Sequence, residues 1–193
     1  MPTDDELGAL ALVARAGIHP PDEMPLAVPW STLPSPAFER GFVQFHWTMR
    51  ATWRPEDWML NLGVFLDGQP IGSQSVIGRQ FAIFRTLTTS SWLGLSYQGR
   101  GYGKEMRSAV LAFGFDHLGA VRADTEAFID NVRSAGVSRS LGYVEDGLGQ
   151  LAPQGVARPT QRFRMTLEQW RAGPRRPVEV VGLDACRDLF GAT

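Results

Sequence analysis

Between residues 92 and 113 the sequence reads WLGLSYQGRGYGKEMRSAVLAF: a short apolar run, three glycines at alternate positions, then a long stretch with helical apolar spacing. These are the parts of an anion site. Gly99, Gly101 and Gly103 carry no side chain to keep a ligand off the backbone and adopt positive φ without strain. The N–H groups of Gln98, Gly99, Arg100, Gly101, Tyr102, Gly103 and Lys104 can therefore converge on one phosphate. A helix opening at this turn adds its unpaired first donors and the positive end of its dipole.

The elements around the turn follow from patterning. Thr3 with Glu6 predicts a capping box, and Leu7, Leu10 and Val13 or Ala14 share one face of a helix ending near Gly17. Residues 19–30 hold four prolines yet keep Met24, Leu26, Val28 and Trp30, which predicts a packed loop rather than a helix. Pro36 opens a second helix carrying Phe38, Phe42, Phe45, Trp47, Met49 and Trp53, which ends before Pro55. Asp67-Gly68 between apolar runs at 58–66 and 70–77 is a two-residue hairpin signal, and a third strand at about 85–95 feeds the glycine turn. The helix after the turn places Met106, Ala109, Val110 and Phe113 on one stripe with Leu111 and Phe115 on a second, a girth that requires burial against a sheet. Val121, Ala123, Thr125 and Ala127 alternate with Arg122, Asp124, Glu126 and Phe128 as a strand does. Asn131 caps a short helix that Gly142 ends. A loop is expected at 147–160, a strand around Phe163, Met165 and Leu167, and one more strand with a helical turn in 178–191.

Length and composition exclude several classes of function. A chain of 193 residues suits one domain, and 19 basic against 20 acidic residues create no field that would draw it to nucleic acid or an acidic membrane. The opening lacks a basic start and a long apolar run, so a cytoplasmic protein is expected. Cys186 is the only cysteine, and His19, His46 and His117 lack ligand spacing, so no metal is expected. A nucleotide P-loop is ruled out, because Ser96 stands where its first glycine should be and Glu105 follows Lys104 instead of Ser or Thr. The spacing G-x-G-x-G also departs from the G-x-G-x-x-G dinucleotide fingerprint.

QGRGYG at 98–103 does match the Q/R-x-x-G-x-G/A pyrophosphate loop of the GNAT superfamily of acyl-CoA-dependent N-acyltransferases. WLGLSYQGRGYG resembles the strand and loop of the branch that acylates ribosomal-protein N-termini, and DNVRSAGVSRSLGY at 130–143 resembles its N-x-x-S…LGF motif. Both stand in family order and at family spacing. From Pro2 onward the chain is also similar to a GNAT protein provisionally described as a succinyltransferase. The resemblance implies an α/β (α+β) fold with a mixed, mostly antiparallel central sheet flanked by helices. All of 1–193 would form one acyltransferase domain, with 1–57 on the acceptor side and 174–193 as a C-terminal extension.

The same resemblance implies direct transfer of an acetyl or succinyl group from acetyl-CoA or succinyl-CoA to an amine in a ternary complex. Gln98 to Lys104 would hold the pyrophosphate, and Trp92, Leu93 and Leu95 would pair with pantetheine as an added strand. The N–H near Leu93 would polarise the thioester carbonyl. Asn131 and Ser134 would meet the pantetheine arm and Arg139 the adenine end. Ser138 stands where many GNATs have the tyrosine that protonates the leaving thiolate. Glu126 is the candidate base, since the frequent family glutamate is absent from TLTTSSW. A lysine-like amine with pKa of about 10.4 costs roughly 4 to 5 kcal/mol to deprotonate at neutral pH, whereas an α-amine needs little help and a water-mediated route serves equally. Glu126 and Asp124 have an alternative role as solvated or Arg122-paired surface groups. A CoA-binding sensor without catalysis is the rival reading, and a nucleotide-binding protein the next. Family folds open with a strand before the first helix and this sequence opens at the cap, so either the true N-terminus lies upstream or the sheet lacks an edge strand; an exposed edge would predict a homodimer or higher homo-oligomer.

Overall fold

The computed structural model describes residues 1–174 and 177–192. Helix α1 (Asp4–Arg15) begins at the expected capping box, with Thr3 and Glu6 exchanging side-chain and backbone hydrogen bonds, and buries Leu7, Leu10, Ala11 and Ala14. Helix α2 (Ala37–Ala51) buries Phe38, Phe42 and His46 on one stripe. Phe45 and Trp47 lie off that stripe and are exposed, so the aromatic grouping read from the sequence divides between core and surface. Trp30 packs beside Phe38 and Phe42, and together with α1 these rings form a core of their own.

Strands β1 (Asp57–Leu66) and β2 (Gln69–Arg79) make the predicted hairpin. Asp67 and Gly68 both take positive φ, 49° and 77°, as the tight turn requires. One helical turn that the sequence pattern did not announce, α3 (Phe81–Phe84), leads to β3 (Thr86–Leu93). Helix α4 (Tyr102–Ala112) follows the glycine turn and runs on as a π-helical segment at Phe113–His117. Strand β4 (Arg122–Phe128), helix α5 (Val132–Ser140), strands β5 (Val144–Leu151) and β6 (Arg158–Thr166) and helix α6 (Leu167–Ala172) complete the order.

The sheet runs β1-β2-β3-β4-β6-β5 and is antiparallel except between β3 and β4. Helices α1 and α2 cover one face; α4 and α5 cover the other, over the main core of Trp58, Val76, Leu87, Leu111, Phe163 and Met165. This is the mixed α/β architecture expected of the sequence. Two expectations fail. Residues 147–151, at the start of the loop predicted for 147–160, belong to strand β5, because VEDGLGQL has weak strand propensity and pairs only at the sheet edge, through a bulge between Glu145 and Leu148. Residues 178–181 form no strand: Val178 and Val180 pack on the core from an extended segment without a ladder partner, which produces the same alternation. The helical turn after it is present at Asp184–Phe190 and caps the core through Trp58, whose Nε1 donates to Phe190 O at 3.1 Å.

His46 is 4 % exposed among Phe42 and Phe45, and burial first, then the Arg50 charge, lowers its pKa from 6.5 to about 4. Between those two values the unfolded chain binds a proton that the folded chain refuses. Stability should therefore be full above pH 6.5, decline as pH falls toward about 4 and lose no more from this residue below that. His46→Phe should flatten this part of a urea-midpoint curve against pH; a variant that tracks the parent through the window would contradict the assignment.

Candidate functional site

Strands β3 and β4 are neighbours for only three residue pairs, Thr86 with Arg122, Leu87 with Ala123 and Thr88 with Asp124. Beyond them β3 continues to Leu93 and β4 to Phe128, leaving a gap about 15 Å long at the usual rise per residue. A single side-chain link crosses its narrow end, Thr125 Oγ1 donating to Thr89 O at 3.2 Å. Successive residues of a strand point their backbone groups to opposite sides, so Ser91 and Leu93 share Thr89's direction toward the gap. The even positions face β2: Trp92 lies opposite Ser73, and the Gly94 N–H donates to Ile71 O at 3.0 Å. The Leu93 N–H is thus aimed into the gap.

The glycine turn stands at the wide end. Gly99 and Gly101 have φ of 74° and 91°, and Gly101 caps α4. Gln98 fastens the turn with its side chain, Nε2 donating to Ile18 O at 2.8 Å and Leu93 O at 2.9 Å. The turn spends two of its seven N–H groups on itself, Gln98 on Leu95 O and Lys104 on Gly101 O. The other five, Gly99 to Gly103, have no acceptor among the described residues and lead directly into the first turn of an 11-residue helix. The donor set is therefore narrower than the sequence suggested. Leu95 is also withdrawn from pairing, because its N–H donates to Gly17 O at 2.9 Å, and Trp92 turns its ring to Trp30 and Phe42 on the α1–α2 face.

Helix α5 forms the far wall. Asn131 Oδ1 accepts the Ser134 N–H at 3.1 Å and caps it, leaving the amide NH2 for other use. Ser138 is 1 % exposed and donates to Ser134 O at 3.3 Å. Val137 stands beside Gly103, so the start of α4 and the middle of α5 are in contact distance. Arg139 points to β5, bonded to Glu145 at 2.6 Å with the Phe163 ring beneath. Asp124 is paired with Arg122 at 2.7 Å, and Arg122 also holds Asp146. Glu126 is exposed and accepts from Thr160 Oγ1 at 3.3 Å.

The gap also contains a charge that sequence reasoning missed. Arg107, 3 % exposed, reaches from α4 between the strands, with Nη1 3.4 Å from Thr125 Oγ1 and Nη2 3.2 Å from Ser91 Oγ. Its signal was present: positions 103, 107, 110, 111 and 114 form the apolar stripe of the helix, and only 107 is charged. A separate cavity of about 700 Å³ lies under the C-terminal segment and is lined mainly by apolar side chains such as Leu60, Leu62, Val110, Phe113 and Val180. None of its lining residues belongs to the turn. Among the described residues, no three His, Cys, Asp or Glu side chains come together as a metal site would require, and no helix is long and apolar enough to cross a membrane.

Residues 3–144 match the model of the acetyltransferase (GNAT) domain. The chain belongs to the GNAT family. Among solved GNAT-like structures it resembles Mycobacterium smegmatis RimJ in complex with CoA-disulfide, with TM-score 0.70 and 20 % identity over 86 % of this chain and 79 % of that one. A candidate GNAT acetyltransferase of Chromobacterium violaceum gives TM-score 0.71 at 16 % identity, covering 89 % and 87 %. A spermidine N-acetyltransferase of Vibrio cholerae gives 0.60 at 13 % identity, covering 85 % and 93 %. At these identities the likeness concerns the fold.

The GNAT loop makes unequal demands on its glycines. A Cβ at Gly101 would meet nothing within 4 Å but would force an L-residue to φ 91°, whereas one at Gly103 would make ordinary contacts at 3.7 and 3.8 Å inside the helix. Gly101→Ala should therefore cost about 1 kcal/mol in denaturant titration, and Gly103→Ala should be neutral or gain up to about 0.5 kcal/mol. Equal losses at both positions would show that the turn is not held as described.

Proposed function

We propose that the protein is an acyl-CoA-dependent N-acyltransferase that moves an acetyl or succinyl group to a primary amine by direct transfer within a ternary complex. The observation that carries this reading is the set of five unpaired N–H groups, Gly99 to Gly103, at the wide end of the β3–β4 gap. A pyrophosphate bound there would lay the pantetheine arm into the gap as a strand-like insert beside Ser91 and Leu93, with Asn131 and Ser134 on the α5 side.

The Leu93 N–H would donate to the thioester oxygen, where negative charge grows as the amine attacks. The amine lone pair forms the new C–N bond, the C–S bond breaks, and its electron pair leaves on sulfur. Ser138 would donate to that thiolate by turning its hydroxyl from Ser134 O. The proton lost by the amine passes to Glu126 or through water to solvent. Glu126 suits the task by position on β4 and by exposure, which leaves its carboxylate open to the acceptor.

Helices α1 and α2, within residues 1–57, would line the acceptor side of one domain spanning 1–193. The motif resemblance favours a ribosomal or other protein N-terminus as acceptor, in a cytoplasmic enzyme. Similarity in fold to the RimJ structure and to a candidate ribosomal-protein-serine acetyltransferase of Vibrio cholerae, at TM-score 0.66 and 20 % identity over 86 % of this chain and 90 % of that one, agrees with this branch. The unpaired outer edge of β1 supports a homodimer. The engagement of Ser138 with Ser134 O favours a second reading, a CoA-binding sensor without turnover.

Release of free thiol from acetyl-CoA and succinyl-CoA, measured with peptide N-termini, lysine peptides and spermidine, separates the two. Acyl transfer to at least one amine is expected, with Ser138→Ala lowering kcat roughly tenfold to hundredfold at little change in KM for the donor. Tight CoA binding with no acyl product on any amine would establish the sensor instead.

A further inference from the structure

Arg107 is a charged side chain of the gap that the catalytic scheme does not use, and its surroundings are unusual for a buried cation. No carboxylate among the described residues pairs with it, and its two contacts, at 3.2 and 3.4 Å, are long bonds to neutral hydroxyls. Its Nε has no acceptor, and the Tyr143 hydroxyl and Thr89 Oγ1, also buried, have no hydrogen-bond partner. Tyr143 stands close enough to Arg107 and Thr89 to feel both but makes no bond of acceptable geometry with either. Burial pushes the Tyr143 phenol up from its usual pKa, so it is neutral and supplies a donor rather than a counter-charge. Burial likewise pulls the Arg107 guanidinium down, and the neighbouring Tyr143 offsets this only in part.

A buried, unpaired charge is costly, and leaving further donors beside it unbonded adds to that cost. The three groups together complement one small anion with several lone pairs. A carboxylate meets that description and can take two parallel bonds from a guanidinium.

Its distance from the reacting atoms fixes what carries the carboxylate. Ser91, which Arg107 contacts, is two residues from Leu93 along β3, a separation of about 6.6 Å. In a four-carbon diacid thioester, three C–C bonds of about 1.5 Å put the terminal carboxyl carbon roughly 4 Å from the thioester carbon. The C–O bond and a charge-assisted hydrogen bond carry the reach roughly 3.5 Å further, to about 7.5 Å when fully extended. A slightly folded four-carbon chain therefore spans the separation.

We propose that the acyl donor is the CoA thioester of a short dicarboxylic acid of about four carbons, whose free carboxylate pairs with Arg107 at the narrow end of the gap and accepts from Tyr143 and Thr89. This rests on the acyl-CoA reading above and deepens it. Arg107 is thereby a specificity determinant: it rejects an uncharged acyl chain of the same length because such a chain would leave the guanidinium buried and unpaired.

Calorimetric titration of the full chain with CoA, acetyl-CoA, butyryl-CoA and succinyl-CoA tests this. Succinyl-CoA should bind at least about tenfold more tightly than butyryl-CoA, its uncharged equivalent in length. Arg107→Met should abolish or reverse that preference while keeping affinity for CoA, and Arg107→Lys should retain part of it. Butyryl-CoA binding as tightly as succinyl-CoA to the parent protein would overturn the inference while leaving the acyl-CoA reading intact, and it needs no variant to fold. An Arg107→Met protein that keeps the preference would overturn it as well. Failure of every CoA compound to bind would overturn both.

Discussion

The structure depends on where a hydrogen-bond ladder stops. β3 and β4 are the only parallel neighbours in the sheet, joined through the α4 crossover, and they separate after Thr88 and Asp124. Backbone donors and acceptors that a closed sheet would satisfy internally are left facing one another across empty width. Such groups are expensive to bury unpaired, so the interruption creates an edge inside the sheet that only another extended chain can satisfy. The glycine turn and the first turn of α4 lie at the wide end of that edge, and the buried arginine at the narrow end. One interruption of one ladder therefore places free backbone donors at one end of the gap and a buried charge at the other, the arrangement on which the proposed acyl-CoA site rests.

The two faces of the sheet are specialised by packing. The α4–α5 face carries the larger core and is sealed by the C-terminal helical turn, where Trp53 and Trp58 stack face to face and Phe190 meets both edge-on. The α1–α2 face holds a smaller, aromatic core, and Trp92 at the end of β3 belongs to it while its neighbour Leu93 packs with Ile71 and Met106 on the opposite side. The period of two along β3 thus divides the residues of a single motif between two layers.

Much of the fold was legible because local and tertiary preferences agree. The Thr3–Glu6 box, the Asp67-Gly68 turn and the Asn131 cap each specify a boundary through chemistry within a few residues, and each is found where the sequence places it. Legibility failed where the outcome depended on a distant partner. Residues 144–151 pair only because β6 offers an edge, and 178–181 fail to pair although their alternation is correct. At the site, the turn was readable from its glycines, but which N–H groups remain available was not, since Leu95 and Gln98 lose theirs to Gly17 and Leu95. Arg107 was readable as the odd charge on an apolar stripe. That it meets Ser91 and Thr125 from two different strands was not, because the divergence of those strands has no signature in either of them.

Gln98 joins regions of the chain that are far apart in sequence. Its amide bonds Ile18 O, just past the end of α1, and Leu93 O, at the end of β3, and it begins the glycine turn. The carboxamide is thus a rivet through three plates: the N-terminal layer, the rim of the sheet and the bend proposed to face a diphosphate. Linkage is reciprocal, so whatever stiffens the bend stiffens the seam under α1, and on the proposed reading strain applied at that seam would return as weaker grip on the diphosphate. If the bend holds the proposed diphosphate, molecules docking against the first helix would alter that affinity without touching the bend at all.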